Sequence, residues 1–345
     1  MIPISMTNMT MRNNDLDYDS VLHFIRERDG FTLLSHISPD GDTLGAALAL
    51  FQLLKRLGKT AEVVCANPVP KIYAFLPHSE TVVMPEKAVG YKNVISVDCA
   101  DTPRFGRAIR IFNEAAHTAV IDHHFTNPRF GEINLVVADA AATAEVIHEL
   151  FKRLDMPVDK DAAVCLYTGI VTDTGNLCYS NTTGNALRII ADFIDKKLVD
   201  VAELNRLIYR NVPYGKTRVQ GFVNSNIVLE GGGMIGVATL TQDQMHSFGA
   251  TNEDCEGIID GIRDIDSVKI AIFIRESADG SYKVSLRSKG IGDVGRLAAL
   301  HGGGGHEKAA GYTAHEPLST VKADIVLQAH EELERAIAEN ENKGA

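Results

Sequence analysis

A two-part α/β protein is the fold class this sequence predicts: a mostly parallel sheet flanked by helices over residues 1–190, a helical connection over 191–223 and a smaller α+β domain over 224–345. Three observations carry that expectation. The first half alternates short apolar runs with helical segments, the signature of βαβ units. Its strand runs are apolar throughout rather than alternating, as strands covered by helices on both faces must be. The second half restarts with strands joined by a tight turn, after a long charged helical stretch.

In chain order, FTLLSH reads as the first strand and DTLGAALALFQLLKRLG as a helix ended by Gly58. KTAEVVCA, NVISVDCAD and HTAVIDHH supply three more strands, and AATAEVIHELFKRL and KDAAVCLYTGIV two further helices. Residues 185–223 are helical and charged, with Pro213 and Gly215 marking a break. GGMIGVATLT, SVKIAIFIRES and SYKVSLRSK then read as strands, the last two joined by the turn ADG. A short helix DVGRLAAL, the glycine run HGGGGHEKAAGYTA and a charged helix from Leu318 close the chain.

Composition narrows the function classes. A chain of 345 residues, 45% hydrophobic and 23% charged, can bury two cores without staples. Its five cysteines are scattered, with no C-x-x-C pair, so neither a disulfide framework nor a thiolate zinc site is expected, and a reducing cytoplasm fits. The polar N-terminus shows no leader pattern, and the longest apolar run is too short to span a bilayer. A net charge of -11 argues against long duplex partners, whose affinity comes from clustered Lys and Arg. Any nucleic-acid partner is therefore expected to be short.

In a parallel sheet, polar residues at the carboxyl ends of strands line the ligand crevice. His36, Asp98 and the run Asp122, His123, His124 sit at such ends, with Asp40 and Asp42 on the turn after His36 and Asp173 in GIVTDTGNL. Ordinary roles exist for some of them: Asp42 as the N-cap of the helix that follows, Asp98 at a turn, Asp173 at a helix end. None explains His36, Asp40 or three ionisable residues directly after an apolar strand, because burying unpaired charge is costly. Imidazole with carboxylate and no thiolate suits manganese, iron or cobalt, with magnesium a weaker competitor. Two histidines and four aspartates exceed the needs of one open site. They suit two ions roughly 3.5–4 Å apart with one aspartate between them, and hence hydrolysis of a phosphate ester or anhydride.

HISPDGDTLGA, VDCAD, IDHH and TDTGNL, in that order, resemble the motifs of the DHH phosphoesterase superfamily, and GGGGHEKAAG resembles its accessory DHHA1 domain. The resemblance runs from about residue 21 to about residue 330. It implies one metal held by His36, Asp40 and Asp98, and a second by Asp42, Asp98, His123 and Asp173, with two manganese ions expected first and magnesium or cobalt as alternatives. His124 would face the phosphate and protonate the leaving oxygen, with Asp122 orienting its neighbours. Arg287, Ser288, Gly303, Gly304, Gly305 and His306 would hold the substrate's terminal phosphate and nucleotide.

A two-domain chain of this kind is most similar to the members that degrade very short oligoribonucleotides and remove the 3′-phosphate of 3′-phosphoadenosine 5′-phosphate. Short oligoribonucleotides and nucleotide bisphosphates are then the expected partners, without membrane or long duplex, and with a homodimer as one option. The alternatives are a phosphodiesterase for cyclic or linear dinucleotides, a RecJ-like exonuclease, a family II pyrophosphatase and a non-catalytic nucleotide sensor.

Overall fold

Strands that are apolar on both sides need cover on both sides, and the first unit of the chain, which ends at Asn211, is built to provide it. The computed structural model describes residues 4–343. The unit opens with α1 (Ile4–Glu27), β1 (Phe31–Leu34), α2 (Gly41–Arg56), β2 (Ala61–Val64) and β3 (Asn93–Val97). It continues through a 3-10 turn (Thr102–Ala108), α3 (Ile109–Asn113), β4 (His117–Asp122), β5 (Ile133–Val136), α4 (Thr143–Arg153) and α5 (Lys160–Asp173). Helices α6 (Gly184–Asp195) and α7 (Val201–Asn205) and a π-helical turn (Arg206–Arg210) complete it.

All five strands are parallel, in the order β2-β1-β3-β4-β5. Successive residues face opposite layers. Leu33, Ile95 and Ile121 pack with α2, α4 and α5, whereas Leu34, Val64 and Val94 pack with Phe105 and Phe112. The chain leaves β1 toward β2 on one side and returns to β3 on the other, so the loops after β1 and β3 diverge. A crevice opens at that switch point, outside the carboxyl ends of the strands. Helix α1 lies against β5, and the sequence pattern had announced neither. β5 is only four residues long, and α1 begins in a largely polar stretch.

Helices α2 and α5 meet at unusually short range because glycines line the contact. A Cβ on Gly45 would stand 2.4 Å from the Cys165 carbonyl oxygen, and one on Gly169 would stand 2.6 Å from Asp42 Oδ1. At Gly45 the obstacle is backbone, which cannot swing aside, and at Gly169 it is a candidate ligand's carboxylate, so a side chain at either position forces the helices or Asp42 to shift. The close approach also brings the start of α2 to the end of α5.

The second unit, from Val212, starts with α8 (Tyr214–Ser225), so the helical connection expected over 191–223 divides between the two units. It continues with β6 (Val228–Glu230), β7 (Ile235–Leu240), α9 (Gln242–Ser247), α10 (Ile258–Arg263), β8 (Ile270–Glu276) and β9 (Tyr282–Ser288). Helix α11 (Val294–Ala299), β10 (Gly304–His306), β11 (Ala309–Ala314) and α12 (Leu318–Lys343) end it. The six strands run β10-β11-β9-β8-β7-β6, antiparallel except for β7 beside β8. One face of the sheet packs on α11 and α12, the other on α8 and α10. The glycine run is therefore no loose connection: it forms the β10–β11 hairpin at the sheet edge. Among the described residues no helix is long and apolar enough to cross a membrane.

The glycine contact yields a paired prediction. Gly45→Ala should destabilise the protein by about 1–3 kcal/mol through overpacking. Gly221→Ala, on α8 with nothing within 4 Å of a new Cβ, should be neutral or stabilise by up to about 1 kcal/mol. Thermal denaturation of both variants checks the contrast.

Candidate metal centre

The turn after β1 uses its two aspartates differently from the N-cap reading. Asp40, not Asp42, caps α2: its Oδ1 accepts from the amides of Asp42 at 3.1 Å and Thr43 at 3.0 Å. Asp42, one residue inside the helix and 1% exposed, turns inward instead. Its Oδ2 accepts from the Thr143 amide at 2.6 Å and its Oδ1 from the Ala144 amide at 2.9 Å. Those amides open α4, whose own N-cap position, Ala142, has no side chain to serve them.

Asp98 follows β3 with a left-handed backbone, φ 55°, and its amide donates to the Ile121 carbonyl. Its carboxylate is held by two buried hydroxyls: Thr43 Oγ1 donates to Oδ2 at 2.7 Å and Thr143 Oγ1 to Oδ1 at 2.8 Å. Three histidines surround it, with His36 Nε2 at 3.9 Å and His123 Nε2 and His124 Nδ1 each at 3.8 Å. His123 Nε2 also lies 3.5 Å from Asp173 Oδ2 at the end of α5.

Donor atoms of His36, Asp40 and Asp98 thus lie within 4.8 Å of one another, as do those of Asp42, His123 and Asp173, and those of Asp98, His123 and His124. The structure brings all the metal-ligating candidates of the first unit to the one crevice.

Whether these groups suit a cation can be read from the imidazoles. His36 Nδ1 lies 2.5 Å from the Ile37 carbonyl and His123 Nδ1 lies 3.3 Å from the Ala140 carbonyl. A carbonyl only accepts, so each Nδ1 carries a proton and each Nε2 is the ring nitrogen turned toward the carboxylates, where a cation would meet it. The Thr43 hydroxyl contacts His36 Nε2, Asp98 Oδ2 and Asp40 Oδ1 at 2.6, 2.7 and 3.0 Å, which ties the three groups together. Among the described residues no Lys or Arg forms an ion pair with Asp40, Asp42, Asp98 or Asp173. Carboxylates outnumber the cationic groups around them, and divalent cations at the two three-residue groups would redress that balance.

The third element of the site is a His–Asp pair. Asp122 is fully buried; its Oδ1 accepts from His124 Nδ1 at 2.7 Å and from the His123 amide at 2.8 Å, and its Oδ2 from Asn127 Nδ2 at 2.6 Å. His124 is thereby aimed with its Nε2 free. Thr43, Thr143, Asn127 and Asn181 are functional-site neighbours that motif reading passed over, as is Arg104, whose Nη2 lies 3.3 Å from His36 Nε2. The uncharged four carry no charge pattern to reveal them, and Arg104 stands outside the four motifs.

In the second unit, Arg287, Ala309 and His306 are paired neighbours across β9, β11 and β10, so they share one face of the sheet. Ala309 leaves open surface between a guanidinium and an imidazole, both at least partly exposed. Gly304 lies on the same face with nothing within 4 Å of a Cβ. Gly303 and Gly305 serve the backbone: a Cβ at either would come within 2.5 Å of the carbonyls of Gly311 or Ala309. Ser288, grouped with these residues in the sequence reading, turns to the other face. It is 5% exposed, and its hydroxyl donates to the carbonyls of Gly292 at 2.9 Å and Glu307 at 3.2 Å. Strand alternation puts it opposite Arg287, so its side chain offers nothing to a ligand beside the guanidinium.

Comparison with known proteins gives a consistent setting. Residues 31–170 match the model of the DHH family, N-terminal domain, and residues 234–339 match that of the DHHA1 domain. The chain is 35% identical over 310 residues to the bifunctional oligoribonuclease and PAP phosphatase NrnA of Thermus thermophilus, covering 89% of each. It is 30% identical to the probable enzyme of that name from Streptococcus mutans, over 86% of this chain and 94% of that one. Among solved structures, an exopolyphosphatase-related protein from Bacteroides fragilis superposes with a TM-score of 0.86 at 26% identity, over 92% of this chain and 96% of that one.

Crowding sets the protonation of the site. Burial, and then the charges of Asp98, Asp173 and Asp40, hold the Asp42 carboxyl well above the usual carboxylate range despite its amide donors. Burial raises Asp173 to about 6. For His124 burial works downward, but the hydrogen bond and charge of Asp122 and the charge of Asp98 outweigh it and raise the imidazole to about 9. Burial would raise Asp122, yet its bond to His124 brings it below its ordinary value.

Raised pKa values mean that the folded protein binds more protons than the unfolded chain, so stability is lost as pH rises through those values. For metal-free protein the window runs from the ordinary carboxylate pKa to about 6 for Asp173, and from the ordinary imidazole pKa to about 9 for His124. The melting temperature of chelator-treated protein should therefore fall between about pH 5 and pH 9, and added manganese should raise it more at the alkaline end. Melts across that range check both signs, and a flat profile would contradict the assignment.

Proposed function

Because the chain belongs to the DHH family of phosphoesterases and carries its DHHA1 domain, we propose that it is a hydrolase of very short oligoribonucleotides that also removes the 3′-phosphate of 3′-phosphoadenosine 5′-phosphate. The observation that carries this reading is the pair of imidazoles, His36 and His123, whose Nε2 atoms face carboxylates with which no Lys or Arg among the described residues forms an ion pair. His36, Asp40 and Asp98 would hold one divalent ion and Asp42, Asp98, His123 and Asp173 the other, Asp98 being common to both. Manganese suits the mixed imidazole and carboxylate donors best. Two such ions supply an acidified water and charge neutralisation at the phosphoryl oxygens.

The chain's own residues do the rest. His124 keeps its Nδ1 proton on Asp122, which leaves Nε2 to donate a proton to the departing oxygen. Asp122 fixes the ring and stabilises its charge, and Asn127 fixes Asp122. In the DHHA1 domain, Arg287, Gly304 and His306 share the sheet face suited to a phosphate and nucleotide, with Gly303 and Gly305 shaping the hairpin beneath them. Few local cations suffice for a dinucleotide-sized anion, which agrees with a net charge of -11. All five cysteines are free, a state that a reducing cytoplasm would preserve.

Product analysis with manganese tests the reading, offering a ribonucleotide ladder from dimer to about a 25-mer, 3′-phosphoadenosine 5′-phosphate, cyclic dinucleotides and pyrophosphate. The shortest RNAs should be preferred, and inorganic phosphate should be released from the bisphosphate. Preference for long strands, a cyclic dinucleotide or pyrophosphate would reassign the substrate while leaving the centre in place. Asp98→Ala should lower kcat on the order of 10⁴-fold, the scale of losing a catalytic component. Arg287→Ala should instead raise KM by about 10- to 100-fold with kcat little changed, as loss of one charged hydrogen bond does.

A further inference from the structure

One short segment, residues 140–144, touches three of the six candidate ligands directly, His123, Asp98 and Asp42, and reaches a fourth, Asp173, through Asn181. The Ala140 carbonyl accepts from His123 Nδ1 at 3.3 Å. The Ala141 carbonyl accepts from Asn181 Nδ2 at 3.0 Å, and that same amide group reaches the carbonyl of Asp173 at 3.1 Å and its Oδ2 at 3.3 Å. Thr143 Oγ1 donates to Asp98 Oδ1 at 2.8 Å, while the amides of Thr143 and Ala144 donate to Asp42. Ala141, Ala142, Thr143 and Ala144 are all fully buried, so water is shut out from the bonds that Thr143 and Ala144 make to Asp98 and Asp42.

The stretch is itself anchored. Glu145, 8% exposed, accepts from the Ala141 amide at 2.8 Å, from Thr183 Oγ1 at 3.0 Å and from Asn185 Nδ2 at 2.7 Å, tying residue 141 to the start of α6. Motif reading assigns this segment only to a helix start, and its small side chains have no chemistry of their own. Their smallness is what lets the backbone come this close.

We propose that residues 140–144, with the Thr143 hydroxyl as the decisive contact, form the positioning element that sets how tightly the centre holds divalent cations. The proposal rests on the metal-centre reading above. Thr143 fixes the rotation of the Asp98 carboxylate, whose two oxygens face different ligand groups, so loss of this one bond should loosen both. Its hydroxyl donates without bringing a counter-charge that a cation would have to displace. Neighbours of this kind typically govern metal affinity by 10- to 100-fold.

The test is calorimetric titration of manganese into chelator-treated full-length protein, with substrate absent. Thr143→Val keeps the shape and removes the hydroxyl, and Thr143→Ala does the same with room to spare should valine crowd the site. Either should weaken manganese binding by about 10- to 100-fold, whereas Thr143→Ser, which restores the donor, should bind within about threefold of the natural chain. Wild-type affinity in the valine and alanine variants, or a serine variant as weak as they are, would overturn the proposal. Asp98→Ala separates the two levels of the argument. If it binds manganese undiminished, the metal-centre reading itself fails; if it loses binding while Thr143→Val does not, only the positioning role fails.

Discussion

The first unit is organised around one costly arrangement, a buried carboxylate at Asp98 encircled by further carboxylates and by three imidazoles. Burial of charge without a partner is among the most expensive things a fold can do. Asp98 also adopts a left-handed backbone, a conformation that a residue with a Cβ takes at an energetic cost. Such strain persists only where the surroundings over-determine it, and here they do: the Ile121 carbonyl fixes the amide and Thr43 and Thr143 fix the carboxylate. The sheet order explains why it can be built at all. Only at the switch point do β1 and β3 lie side by side while their following loops diverge, which leaves room for His36 and Asp98 to face the same space.

The second unit solves a different problem with a different device. An edge hairpin made of small residues gives a flat, open sheet face on which two long side chains, Arg287 and His306, stand apart. Side chains from neighbouring strands would ordinarily fill that space. Alanine and glycine at 309, 311 and 304 keep it clear.

The sequence made the architecture legible because its signals are local. Apolar runs such as NVISV and HTAVID fall on β3 and β4, and DTLGAALALF falls on α2, each decided by periodicity within its own few residues. The charged candidates were legible for the same reason, as His36, Asp98 and Asp122 stand directly after apolar strands. What stayed hidden depends on contacts between distant residues. Asp42 looked like a cap for its own helix, yet it serves the helix that begins at Thr143, about a hundred residues onward. Ser288 looked like a neighbour of Arg287 in function as well as in sequence, but adjacent residues on a strand face opposite layers. Short elements such as β5 and β6 carry too few residues for a period to show.

A contrast inside the molecule shows why the acidic cluster is not merely a structural knot. Glu332 in α12 is also a buried carboxylate, and it is saturated: Arg296 and Arg335 both donate to it, as does the Asp293 amide at 2.8 Å. Two guanidiniums neutralise it permanently, and its carboxyl stays below its ordinary pKa although burial works the other way. Asp42, Asp98 and Asp173 are held by hydroxyls, backbone amides and an asparagine instead, all donors without charge. Donors of that kind set direction but leave the negative charge in place, and Asp42 and Asp173 show the consequence in their raised pKa values. A fold that needed only stability would place arginine there, as this one does around Glu332. With no arginine paired to Asp42, Asp98 or Asp173, a divalent cation can approach these carboxylates without breaking an ion pair to a guanidinium.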